Sequence, residues 1–351
     1  MKTETIIILT PGFPKDETDS TCLPAQQLFV RVLKEQFPAM EIIIITFQYP
    51  YTSAEYNWYN CRVIALGGKG KGKIYRLFLW KRAWNKLQRI STEKNIAGIL
   101  SFWCGECALI GHRFGKKRLI PHYCWILGQD AKKNNSYVQR IRPEAGELIA
   151  MSDFLQDSFL KNHSIKPTHV VTNGVDKKVL STIDHERDIL VLGAGSLIPL
   201  KQFEVFIEII AGIKAAIPGV RAKICGKGPE EEKLKAMIKR EGLEQNISLA
   251  GELPHDEVIQ LMRRSLLFLH PSFYEGFSTV CLEALSTGCQ VISFVQPMKQ
   301  DIEHWQIAIT QEDMLQKAID VLQDVSTDHS RVSPYLMEDS VKKMMRLFSQ
   351  H

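Results

Sequence analysis

No stretch of the 351-residue sequence approaches the ~20 consecutive apolar residues that a membrane-spanning helix needs. The opening, MKTETIIILTPGFP, holds an apolar run too short for a secretory leader and meets a Pro-Gly turn at once. Eight cysteines are scattered, mostly inside apolar runs such as AKICG (Cys225) and CQVISF (Cys289). That usage excludes a disulfide scaffold and suits small buried thiols in a reducing compartment. Cys104 and Cys107 in WCGEC have CxxC spacing, but no second pair or His set follows to complete a zinc site. The pair reads as structural, with a redox dithiol as the alternative. With 15 prolines, 22 glycines, 45% hydrophobic and 24% charged residues, the chain is neither collagen-like nor disordered. Its length and the absence of a low-complexity linker point to two adjoining domains, each able to bury a core.

Charge is unevenly placed. The net is +5, but residues 69–94 carry nine Lys/Arg and one Glu, a local +8, leaving the rest of the chain at −3. A single basic segment on a mildly acidic body is not the spread of charge expected of a nucleic-acid binder. Within it Leu77, Trp80, Trp84 and Leu87 recur at helical spacing, and Arg82, Lys86 and Arg89 share another face. This is either a surface helix with a solvated basic face or a helix that docks on an anionic membrane.

Strand and helix signals alternate along the whole chain. TIIILT (5–10), EIIIITF (41–47), IAGILSFW (96–103), LIPHYCWIL (119–127), ELIAM (147–151) and THVVTN (168–173) read as strands, with a helix over 23–37. A second series follows: strands at 188–195, 221–226, 247–251, 266–270 and 289–294, helices at 201–217, 230–242, from His255, and over 279–287. Continuous apolar strands between helices predict parallel sheets covered on both faces. Ligands of such sheets bind beyond the C-terminal strand ends.

The segment HPSFYEGFSTVCLEALSTGCQVIS (270–293) carries the chemistry. A strand ends at His270, a loop presents Glu275-Gly276-Phe277, and a helix opens near Ser278 or Thr279. A helix start offers free N–H groups and the positive end of a dipole to an anion. Glu283 lies eight residues beyond Glu275. A helical path of that length rises ~12 Å, awkward for the ~5–9.5 Å carboxylate pair of a glycosidase. Two acceptors at the ends of one long ligand suit the spacing better. Alone, either residue also reads as an ordinary solvated or first-turn acid. His255 reads as an N-terminal helix residue, His270 as strand-end packing, and Asp130 equally as a turn cap. Gly193-x-Gly195 lacks the third glycine of a dinucleotide fingerprint, and GGKGKGK (67–73) lacks the strand and Ser/Thr of a P-loop.

Taken together, GAGSLIPLKQFEVFIEII (193–210), ICGKGPEEEKLKAMIKREG (224–242) and the E-x7-E pair Glu275/Glu283 resemble retaining glycosyltransferases of family 4, group 1. TNGVD (172–176) and GQD (128–130) match weaker family elements. The resemblance implies an α/β GT-B fold, two Rossmann-like domains facing across a cleft: residues 1–180 for the acceptor, 181–335 for the nucleotide-sugar, and 336–351 a helix returning to the first domain. It implies Glu283 on the ribose, Glu275 on the transferred sugar, Lys201 on the diphosphate, and Gly195, Ser196, Gly276, Phe277, Ser278 and Thr279 around the donor. Gly12, Gln129, Asp130 and Asn173 would lie on the acceptor or sugar side.

By the same resemblance no metal or resident cofactor is needed. The donor would be a UDP- or GDP-sugar and the acceptor a saccharide or lipid-linked saccharide of cell-surface polysaccharide or lipopolysaccharide synthesis. The location would be cytoplasmic, peripheral on the membrane face, with no nucleic-acid partner. Four family features differ: the usual Arg near 196 is Ser196, the His before the Gly-x-Asp loop is Leu127, the Gly-Gly of the first-strand loop is replaced by DETDSTCLP (16–24), and the Gly-rich turn after CQVIS by FVQPMKQD (294–301). A nucleotide-sugar-binding protein without transfer activity and a nucleotide-sugar epimerase stay open as alternatives.

Overall fold

The computed structural model describes residues 4–180 and 186–349, in two compact units. The first runs from β1 (Glu4–Gly12) through α1 (Pro24–Gln36), β2 (Glu41–Tyr49), β3 (Ala54–Trp58), β4 (Cys61–Ala65), α2 (Lys73–Glu93) and β5 (Asn95–Phe102). It continues through α3 (Glu106–Arg118), β6 (His122–Ile126), α4 (Ser136–Ile141), β7 (Leu148–Ala150), α5 (Asp153–His163) and β8 (His169–Val170). The sheet order is β3-β4-β2-β1-β5-β6-β7-β8, parallel except for the β3–β4 pair. Ile6–Leu9 and Ile42–Ile45 are buried along their whole length, as strands with helices on both faces must be.

The β3–β4 hairpin has no counterpart in the sequence reading. Its strand AEYNW is largely exposed, and its two-residue turn is Tyr59-Asn60, both at positive φ (43° and 60°). Such a turn matches the twist of its strands, but Tyr-Asn lacks the Asn-Gly signature that would announce it.

The second unit holds β9 (Ile189–Ala194), α6 (Phe203–Ala216), β10 (Ala222–Cys225), α7 (Glu231–Arg240), β11 (Ile247–Gly251) and α8 (His255–Arg263). There follow β12 (Ser265–His270), α9 (Thr279–Ser286), β13 (Gln290–Ser293), β14 (Trp305–Ile307) and α10 (Gln311–Gln323). Its all-parallel sheet has the order β11-β10-β9-β12-β13-β14. Phe206, Ile207, Ile210, Leu234, Leu267 and Ile292 anchor its core.

The last helix, α11 (Met337–Phe348), belongs to the first unit. Gln36 donates to the Glu338 carbonyl at 3.2 Å, and the Tyr123 hydroxyl to the Leu347 carbonyl at 3.1 Å. Gly98 in β5 is required here, because a Cβ would lie 2.1 Å from the Phe348 ring.

The units divide at Asn173/Gly174 and Leu336/Met337, not at the 180/181 and 335/336 positions read from sequence. The physical reason is hydrogen bonding. Val175 bridges Leu336 and donates to the Tyr335 carbonyl at 3.0 Å, while Arg263 and Arg331 hold the carbonyls of Val179 and Leu180. Residue 181 itself lies outside the described residues.

Candidate functional site

In the second unit β9 and β12 are neighbours, and the chain leaves them toward opposite edges of the sheet. That reversal is the place where doubly wound sheets bind ligands. The loops leaving these two strands carry Lys201 and Glu275.

After β9 the chain passes Gly195 and the exposed Ser196, then a single 3-10 turn, Pro199–Lys201. The loop is fixed from two sides. Leu197 is buried and donates its N–H to the Lys227 carbonyl at 3.0 Å, and Ser272 donates to the Leu200 carbonyl at 2.9 Å. Gly226 adopts φ 144°, and a Cβ there would meet the Gly195 oxygen at 1.9 Å. This nesting aims the Lys201 side chain past Gly195 and onto the Glu275 carboxylate, with which it forms an ion pair.

Glu275 holds a second partner, His270 Nε2 at 3.0 Å. Burial lowers the His270 pKa, so the ring is neutral near pH 7 and donates Nε2–H to the carboxylate. For Glu275 burial acts upward, but the His270 bond and the charge of Lys201 outweigh it and hold the carboxyl down at about 2. It is therefore an acceptor at any working pH. Lys201 has three N–H donors, so it can hold Glu275 and an incoming anion together.

Beside this cluster α9 begins. Ser278 occupies its N-cap, yet the hydroxyl lies 3.4 Å from His270 Nε2 and makes no cap bond. Phe277 is buried edge-on against Trp305 and Tyr335, with centroids 6.2 and 5.6 Å away. Gly276 and Ser278 are buried and Thr279 half-buried, so this backbone is held rigidly where the first-turn N–H groups emerge. Glu283 sits farther along α9 in a cluster of its own, with Oε1 2.8 Å from His255 Nε2. That bond raises the His255 pKa. Each carboxylate of the pair thus answers to a different histidine, and among the described residues no bond joins them.

His255 and His270 are site residues whose sequence contexts read as helix start and packing. His270 carries a retrospective signal, a strand-end imidazole five residues before the loop Glu. His255 has none, because its partner is 28 residues away.

The four residues that the resemblance assigns to the acceptor or sugar side lie in the first unit. Gly12 ends β1 against Tyr49, and the exposed Gln129 opens a 3-10 turn after β6. Asp130 is buried, and burial raises its pKa. Its carboxylate accepts from the N–H groups of Cys104 (2.8 Å), Gly128 (2.8 Å) and Leu127 (3.2 Å), the geometry of a turn cap. Asn173 is buried where the chain leaves the first unit. Cys104, Cys107 and Cys124 are free and buried; burial pushes the Cys107 thiol up, and the Cys104 bond plus burial do the same to Cys124. Neutral buried thiols are packing groups.

Among the described residues no cluster of three His, Cys, Asp or Glu side chains could hold a metal ion. A cavity of about 1060 Å³ opens in the first unit beside Ile96, His122 and Phe348, at the N-terminal strand edges and so far from the edges that bind ligands.

Residues 178–329 match the family model described as glycosyl transferases group 1. The chain is 27% identical over 205 residues to the phosphatidylinositol N-acetylglucosaminyltransferase gpi3 subunit of Schizosaccharomyces pombe, covering 56% of this chain and 44% of that protein. It is 28% identical over 200 residues to a Campylobacter jejuni N-acetylgalactosaminyltransferase acting on a diphospho-undecaprenol-linked sugar, covering 53% of each chain. The chain thus spans about half the length of these curated relatives. Among solved structures, the Anabaena HepE complex with UDP-glucose superposes with a TM-score of 0.73 at 16% identity, covering 99% of this chain and 100% of that one. That likeness carries the fold, which is GT-B.

Proposed function

We propose that this chain, whose residues 178–329 match the group 1 glycosyltransferase model and whose fold is GT-B, moves a sugar from a UDP- or GDP-sugar to a saccharide or lipid-linked saccharide, with retention. The observation that carries the reading is the Lys201–Glu275–His270 cluster at the start of α9. The diphosphate lies on the α9 N-terminus and Lys201. The bond from the anomeric carbon to the phosphate oxygen breaks, the acceptor oxygen bonds to that carbon on the same face, and the acceptor proton leaves with the nucleoside diphosphate. Donors already aimed at the departing charge lower the barrier. Glu275, ionised and held by His270, accepts hydroxyls of the transferred sugar. Glu283 accepts the ribose hydroxyls with the oxygen that His255 leaves open.

Ser196 stands where the family carries an Arg, and the turn hydrogen-bonded to its neighbour Leu197 carries the exposed Lys227. Lys227 supplies the second positive charge. The first unit binds the acceptor around Gly12, Gln129 and Asn173. The acceptor is cell-surface glycan or lipid-linked glycan at the cytoplasmic face of a membrane; no helix among the described residues is long and apolar enough to cross one.

A thermal-shift panel of UDP-, GDP- and ADP-sugars identifies the donor, since a ligand of the native state raises Tm by mass action. Product analysis then separates the readings. Sugar released from nucleotide or joined to acceptor supports transfer. A changed sugar still on its nucleotide means an epimerase, and binding with neither means a donor-binding protein.

A further inference from the structure

We propose that the first two turns of α2, with the loop leading into them, dock this protein on an anionic lipid bilayer. This deepens the membrane location proposed above and rests on it. It also moves the contact to a face of α2 other than the basic one marked by the sequence.

The inward stripe of α2 is Leu79, Ala83, Leu87 and Ile90, all buried in the first unit's core, with Trp80 and Trp84 packed against it. Trp80 also donates to Glu106 at 3.0 Å. Trp80 and Trp84 therefore point toward the protein, as the surface-helix reading has them. The basic side chains are engaged as well. Arg82 donates to the Leu66 carbonyl at 2.9 Å and to Ser53 at 2.7 Å, Lys86 pairs with Glu55 at 2.5 Å, and Arg89 pairs with Glu93 at 2.9 Å.

The outward stripe is apolar where it should be polar. Ile74, Leu77 and Phe78, at i, i+3 and i+4, are 76%, 60% and 64% exposed. Farther along the same face come Lys81, Asn85 and Arg89, the polar residues a solvated helix face normally shows. The apolar face is thus confined to one end of the helix. A contiguous apolar patch rimmed by polar groups marks an interaction surface.

The rim chooses the partner. Lys69 and Lys71 are exposed on the loop before the patch and Lys81 follows it. The Lys71 ammonium lies 5.1 Å from the centre of the Tyr75 ring. No Asp or Glu occurs between Glu55 and Glu93. A second copy of this surface would set lysine against lysine, whereas anionic headgroups meet the lysines while acyl chains cover Ile74, Leu77 and Phe78. The loop leaves β4 at its C-terminal end, so the patch lies on the same edge of the sheet as Gly12 and Gln129.

The test is co-sedimentation with vesicles of phosphatidylglycerol and phosphatidylcholine, against phosphatidylcholine alone. The wild type binds the anionic vesicles. The Leu77→Glu/Phe78→Glu double variant, changed only at exposed positions, loses binding ~10-fold or more. The Arg82→Ala/Lys86→Ala/Arg89→Ala variant stays within about twofold. The inference is overturned if the wild type binds no vesicles, if the basic variant loses binding while the apolar variant keeps it, or if the patch only self-associates the protein. Nucleotide-sugar thermal shifts on the same variants read the second unit separately. A shift without vesicle binding removes the docking surface and leaves the donor reading standing; vesicle binding without any shift does the reverse.

Discussion

Beyond the end of β12 a largely enclosed carboxylate, Glu275, is held by Lys201 and His270; at the end of β6 a buried one, Asp130, is held by three backbone N–H groups. Both stand at C-terminal strand edges of wound sheets, where ligands bind. The difference lies in what holds them. Lysine and histidine side chains can swing, and the lysine can share its donors with a substrate. Backbone N–H groups cannot be lent without undoing the turn they form. The Glu275 cluster keeps its carboxyl ionised against burial, whereas at Asp130 burial prevails and the pKa rises. Burial of an acid near a strand end is therefore no sign of function by itself; exchangeable partners are.

Substitutions test that contrast. The largest effect is expected for Lys201→Ala, a fall in turnover of ~10²–10³-fold, the size seen when one preorganised donor to a leaving charge is removed. Glu275→Gln lowers turnover more than nucleotide affinity, since its proposed ligand is the transferred sugar and not the nucleotide. Glu283→Ala weakens nucleotide binding by ~10–100-fold, as expected for charged hydrogen bonds to hydroxyls, and calorimetry reads it. Asp130→Ala falls on the other side of the comparison. It orphans buried N–H groups and costs about 1–3 kcal/mol in denaturant melts, with nucleotide affinity unchanged. A donor-binding defect there would erase the distinction.

The smallest effect concerns pH. The His255 pKa is raised by its bond to Glu283, with Asp256 and Asp176 also facing it. Its charged-pair contribution is full below the ordinary 6.5 and fades as pH climbs through the raised value. Stability in denaturant melts therefore declines modestly over that window in the wild type, and His255→Gln lacks this decline. Glu275 adds no acid limb above pH 4.5, because its contribution is lost only as pH falls toward 2.

The candidate loop was legible because its parts are close in sequence: strand end, Glu275-Gly276, helix start, and Glu283 two turns on. Lys201 was singled out by the family resemblance of residues 193–210, and the structure sets it against Glu275. The partner His255 was not legible, because pairing across 28 residues leaves no local trace, and His270, only five residues from Glu275, read as strand-end packing. The wound sheets followed from continuous apolar strands, while the β3–β4 hairpin escaped behind a polar strand and an unmarked turn. The basic helix was legible in part. Of its two readings the packed surface helix holds for Trp80, Trp84 and Leu87, which turn inward, while Leu77 faces out.

The β9–β12 edge is the proposed diphosphate site. Calorimetric titration of UDP and GDP, each beside its nucleoside, into wild type and Lys201→Ala tests that directly. The expected result is that the preferred diphosphate binds far more tightly than its nucleoside in the wild type, and that Lys201→Ala removes most of this difference while nucleoside binding holds. An undiminished preference for the diphosphate in the variant would contradict it.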